Sequence, residues 1–70
     1  MHLSELGNLI KSRREVLNIT QVDLADIANV ALRTLKSLEN GKTNPTFETL
    51  NKILEVLGME LIIAVRNPKL

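Results

Sequence analysis

Apolar residues recur at spacings of three and four along most of this chain. The pattern divides it into four helical stretches and one short run of a different kind. Residues 4–17 place Leu6, Leu9, Ile10, Arg13, Val16 and Leu17 on one stripe, with Ser4 as the expected N-cap. Asn18 is the expected stop, because Asn tolerates the left-handed backbone that closes a helix. Thr20 opens a second helix, about 20–28, with Asp23 as a capping-box-like partner. Its predicted buried stripe is Leu24, Ala25, Ile27 and Ala28, while Val22 is ambiguous. Asn29 marks a tight turn. A third helix is expected at about 31–39, with Leu35 and Leu38 facing inward and Asn40-Gly41 ending it. After a polar loop, Thr46 caps a fourth helix whose predicted core face is Phe47, Leu50, Ile53, Leu54 and Leu57, closed by Gly58.

The run from Met59 to Arg66, MELIIAVR, is short, rich in branched aliphatic residues and preceded by glycine, and Asn67-Pro68 breaks it. This predicts a strand. One strand has no sheet to join in a chain of this pattern, and Leu61, Ile62, Ile63, Ala64 and Val65 give it no polar face. Antiparallel pairing of two copies about a two-fold axis satisfies both needs. Continuation of the fourth helix, or a fifth helix, is the alternative, since short apolar runs do not reveal their period. The expected organisation is a helical domain over 1–58, a dimerisation strand over 59–66 and a tail over 67–70.

At 70 residues the chain is one domain near the lower limit for a self-sufficient core. Phe47 is the only aromatic residue, so the core must be aliphatic, and no cysteine is available for a disulfide or a thiolate metal site. The N-terminus is amphipathic with early charges, unlike a secretion leader. The longest apolar run, Leu61–Val65, is far too short to cross a bilayer. A cytoplasmic protein is the expectation.

The formal charge is only +1, but it is unevenly spread. Residues 31–46 carry Arg33, Lys36 and Lys42 against Glu39, a balance of +2, whereas residues 20–30 carry Asp23 and Asp26 and no base. Positive charge therefore collects on and after the third helix. Two short helices joined by a tight turn, with bases on the second, are the layout of a helix-turn-helix, which presents its second helix to the major groove. Enzyme chemistry has little to stand on. His2 is the single histidine, and neither a nucleophilic triad, a glycine-rich phosphate loop nor a metal-ligand spacing is present. No cofactor and no small-molecule substrate are expected.

Arg14, Thr20-Gln21, Leu24-Ala25, Val30, Leu35, the run Leu38-Glu39-Asn40-Gly41-Lys42, Pro45 and the Leu50 to Gly58 helix stand in a specific order and spacing. In these the chain resembles the Cro/C1-type (XRE) helix-turn-helix family, from about Leu6 to Leu61. The resemblance implies a mostly α, four-helix, lambda-repressor-like domain. It implies base reading by Leu32, Arg33 and Ser37, with Lys36 serving a base or a phosphate. Thr20, Gln21, Asn40, Lys42 and Thr43 would lie along the DNA backbone. Gln21 also sits at a positive helix end suited to a phosphate. Arg14 and Glu39 correspond to a partly buried salt bridge in the family.

Two positions depart from the pattern. Ala31 stands where a Ser or Thr usually opens the recognition helix, and Leu32 where many members carry a polar reader. Leu32 suits a thymine methyl or some other apolar contact.

The function implied is a repressor that binds double-stranded DNA as a homodimer on a palindromic operator and resides with the nucleoid. A helix-turn-helix followed by a terminal strand further resembles the HipB-type antitoxins, which implies a HipA-like kinase toxin as partner. The alternative is a protein-interaction module with the same fold and weak DNA binding.

Overall fold

The computed structural model describes residues 1–66, so the break expected at Asn67-Pro68 and the 67–70 tail lie outside the described residues. Four α-helices follow one another: α1 (Leu3–Val16), α2 (Gln21–Ala28), α3 (Leu32–Glu39) and α4 (Phe47–Val56). Helix α3 packs on α1 and α2, and α2 packs on α4. None of the described helices is long and apolar enough to cross a membrane.

Each helix closes in the same way. Asn18 and Asn29 have φ of 58°, and Gly41 and Gly58 have φ of 70° and 68°. After α1 the Ile19 amide donates to the Arg14 carbonyl, and after α2 Val30 donates to Ala25. After α3 Lys42 donates to Ser37, and after α4 Met59 donates to Leu54. These are six-to-one Schellman closures, which satisfy carbonyls a helix end would otherwise leave open. Helix starts are less uniform. Thr20 Oγ1 accepts from the Asp23 amide at 3.0 Å, and Thr46 Oγ1 accepts from Thr49 at 3.1 Å. Helix α1 begins one residue before Ser4, with His2 as its N-cap and the His2 amide donating to Glu5 Oε1 at 3.5 Å. Helix α3 begins after Ala31 without any side-chain cap.

The core is aliphatic. Ile10, Leu24, Leu35, Leu38, Ile53 and Leu57 are fully enclosed, joined by Ala25, Ala28, Leu50 and Leu54. Five residues expected on buried stripes are instead outside: Leu9, Val16, Leu17, Ile27 and Phe47, with Ile27 and Phe47 65% and 68% exposed and Leu17 standing past the last turn of α1 as its C-cap. The reason is angular. At about 100° per residue, the inward arc of α1 runs through Leu6, Ile10, Arg14 and Gly7, and Leu9 and Val16 fall beyond its edge. On α2 the arc runs from Leu24 to Ala25, leaving Ile27 on the far flank. Phe47, the first residue of α4, stands at the edge of that helix's arc, about a turn before Leu50.

Gly7 explains why that side of α1 faces α3. A Cβ there would collide with the Leu38 carbonyl oxygen and lie 2.8 Å from that of Glu39. The two helices therefore touch backbone to backbone. Gly41 makes a second close approach, where a Cβ would come within 2.8 Å of Ser4 Cα.

Residues 59–66 form neither helix nor strand in the single chain. Apart from Met59, which packs partly against the core, they are exposed. A strand needs a ladder partner, and among the described residues the chain supplies none.

Gly7→Ala should lower stability. Alanine would add about 1 kcal/mol of helix propensity in an open helix, but the collision is with rigid backbone, and such overpacking costs roughly 1–3 kcal/mol. A lowered thermal midpoint is the expected result. A midpoint at or above that of the parent chain would refute the close crossing.

Candidate nucleic-acid interface

The turn between α2 and α3 is three residues long, Asn29 to Ala31. Asn29 takes the left-handed conformation and Ala31 returns to extended backbone, with φ −66° and ψ 138°. Val30 tucks against the core. This tight connection fixes α3 across α2.

A buried polar network fixes its rotation. Arg14 Nε donates to Glu39 Oε2 at 2.8 Å, and Arg14 Nη2 donates to Glu39 Oε1 at 3.0 Å. Arg14 Nη1 donates to the Ile19 carbonyl at 2.9 Å, and Gln21 Nε2 donates to Glu39 Oε1 at 3.0 Å. The fork-on-fork pair is the strongest geometry available to these groups. Glu39 is only 5% exposed, and every buried side-chain polar atom among the described residues has a partner. One carboxylate thus holds the end of α3 to α1 and to the first residue of α2, and Arg14 extends the link to the α1–α2 loop. The Glu39 hydrogen bond, helped by the nearby charges of Glu39 and Glu15 and opposed by burial, raises the Arg14 pKa. A raised basic pKa adds stability that is complete below the unfolded value and is lost only as pH climbs through the folded one. For Arg14 that window is strongly alkaline, so the pair stays charged on its basic side at ordinary pH.

With Glu39 turned inward, the outer face of α3 loses its only acid. Leu32, Arg33, Lys36, Ser37, Asn40 and Lys42 line one shallow open groove. It therefore carries three cations, Arg33, Lys36 and Lys42, and no carboxylate. Arg33, Lys36, Asn40 and Lys42 are exposed, whereas Ser37 is half-buried. Leu32 is also half-buried, with part of its side chain on the core and part in the groove. The four expected base readers and two of the expected backbone residues are thus brought together. Thr20 and Gln21 line a second hollow with Arg14, Glu15, Asn18 and Ile19, and Thr43, half-buried in the loop, lines neither.

The sequence pattern missed two things here. Gln21 is tied to Glu39 as well as standing at the α2 start, which leaves its second amide proton for an outside acceptor. The surface charge is larger than a residue count suggests, because Glu39 is not at the surface. Backbone and side-chain donors in this arrangement suit phosphate oxygens and base edges. Among the described residues no group of three His, Cys, Asp or Glu side chains gathers as a metal site.

Replacing either member of the pair, Arg14→Met or Glu39→Met, strands a poorly solvated polar partner. The expected loss is about 3 kcal/mol, the low end for a buried pair, because the Arg14 side chain keeps 11% exposure. The double Met variant should recover most of it. Urea unfolding of the four chains measures the coupling, and strictly additive losses would mean the pair contributes nothing beyond packing.

The sequence matches the helix-turn-helix family model over residues 10–62, which takes in α2, α3, α4 and the second half of α1. Among solved structures, the high-resolution crystal structure of the restriction-modification controller protein C.AhdI from Aeromonas hydrophila aligns with a TM-score of 0.79. That alignment covers 83% of this chain and 88% of the other at 21% identity, a likeness of fold. No curated protein matches the sequence. The family match over three-quarters of its length, on a fold that presents α3 as a basic outer face, establishes that this chain belongs to the XRE-type helix-turn-helix family of DNA-binding transcriptional regulators.

Proposed function

We propose that this chain is a sequence-specific transcriptional repressor that binds double-stranded DNA as a homodimer on a palindromic operator. The observation that carries the reading is the acid-free groove on α3, with Arg33, Lys36 and Lys42 around Ser37 and Asn40. Arg33 is the main base reader in this proposal, since a guanidinium can bond O6 and N7 of guanine together. Lys36, Ser37 and Leu32 are its neighbours at the base edges. Lys42, Asn40, Thr43, Thr20 and Gln21 position the backbone. Two subunits would address half-sites about 34 Å apart.

The exposed apolar segment Leu61–Val65 supports a dimer, because one copy leaves it uncovered. A helix-turn-helix with such a terminal segment also supports an autoregulating antitoxin with a kinase toxin partner. The similar fold of a restriction-modification controller protein is in keeping with a second role, that of a controller with no toxin partner. An adjacent kinase-like reading frame whose product co-purifies with this chain would distinguish the first from the second. A protein-interaction module with weak DNA affinity is the remaining alternative, favoured by the uncapped start of α3 at Ala31 and by Leu32 in the groove.

Binding to promoter fragments should weaken linearly in log affinity against log salt. Arg33→Ala should relax sequence preference at one position, with a cost of roughly 1–3 kcal/mol on the preferred site. Lys42→Ala should weaken all sequences alike and lower the salt slope by about one. Gel-shift titrations that move with neither substitution would overturn the DNA reading.

Deleting 59–70 should leave a folded monomer by sedimentation, since every buried core residue precedes that segment and only Met59 packs against them from it. A truncated chain that remains dimeric would place the interface elsewhere.

A further inference from the structure

Within the strand-paired dimer proposed above, on which this inference rests, the residues of the terminal segment select one register. Successive side chains of an extended strand point to opposite faces. Leu61, Ile63 and Val65 then share one face, and Glu60, Ile62, Ala64 and Arg66 share the other. In the single chain Ile63 and Val65 are 95% and 94% exposed, and Leu61 and Ile62 are at least half exposed. The segment is thus available to a second copy.

An antiparallel pair about a two-fold axis fixes the sum of the numbers of directly opposed residues. Odd sums would set the fully apolar face of one strand beside the mixed face of the other, leaving no continuous apolar surface. Even sums keep the two apolar faces together. Among these, a centre at Ile62 sets Glu60 opposite Ala64 and Arg66 opposite Gly58. A centre at Ala64 sets Arg66 opposite Ile62 and carries Glu60 past the end of the strand. A centre at Ile63 sets Glu60 opposite Arg66 twice, Ile62 opposite Ala64 twice, Leu61 opposite Val65 twice, and Ile63 opposite itself.

We propose that two copies of this chain pair antiparallel through residues 60–66 in the register centred on Ile63, locked by reciprocal Glu60–Arg66 charge pairs at the two ends. Opposite charges directly across a ladder stabilise it, and like charges there oppose it. The other face joins Leu61, Ile63 and Val65 of both copies into one apolar patch. Met59 shares that alternation and already packs against its own core. The patch therefore turns toward the two helical bodies, and the charge pairs face solvent.

The chain has no native cysteine, so single introduced thiols report register directly. Under copper-phenanthroline oxidation, Ile63→Cys should form a covalent homodimer rapidly. Ile62→Cys and Ala64→Cys should each react slowly alone and rapidly when mixed, since directly opposed Cβ atoms lie within disulfide reach. In sedimentation, Glu60→Arg and Arg66→Glu should each weaken the dimer about tenfold, and the double exchange should restore it. Preferred self-linking of Ile62→Cys or Ala64→Cys, in a dimer that still requires residues 59–70, would overturn the register and leave the strand-paired dimer intact. A chain that stays monomeric, or a truncated one that stays dimeric, would overturn both.

Discussion

The Arg14–Glu39 pair is the constraint on which the rest of this small domain depends. A carboxylate at the last residue of α3 is almost fully enclosed, and enclosure without compensation would be prohibitive. Compensation comes from two donors, the Arg14 fork and the Gln21 amide, and Arg14 is itself held by donating to the Ile19 carbonyl. These groups belong to different parts of the chain. The network therefore ties the orientation of α3 to that of α1 and α2 at one point, where aliphatic packing alone would allow sliding. Gly7 permits the approach, because only a residue without a side chain lets the α1 backbone meet the end of α3.

Helices of eight to fourteen residues are marginal in water by themselves. Here each is terminated at a defined residue by a left-handed closure, at Asn18, Asn29, Gly41 and Gly58. Sharp endings keep the connections short and let the aliphatic core form without aromatic residues. Arg13 reinforces the last of them, with Nε donating to the Leu57 carbonyl at 2.9 Å and the guanidinium lying beside Gly58.

Much of this was legible in the sequence because it is local. The stops at Asn and Gly, the caps at Thr20 and Thr46, and the inward faces of α3 and, Phe47 apart, of α4 follow from residue type and spacing. What was illegible depends on neighbours. Periodicity places Leu9 and Val16 on an apolar stripe of α1, but Gly7 and Arg14 rotate the buried arc away from them. Ile27 is displaced in the same manner, and Phe47 lies past the end of the core it was expected to fill. The inward turn of Glu39 changes the charge of the candidate interface, and residue counting cannot register it. The terminal segment is the extreme case, since the strand expected there would need backbone partners that the described residues do not supply.

The division of labour on α3 also has a consequence over longer times. Leu35, Leu38 and Glu39 face the interior, while Arg33 and Lys36 project from the same two turns with no part in the core. Exposed substitutions away from such packing rarely change stability by more than about 0.5 kcal/mol. The outer residues can therefore vary while the fold that presents them is conserved. On the proposed reading of α3, a lineage carrying this scaffold can drift from one recognition sequence to another through intermediates that all still fold.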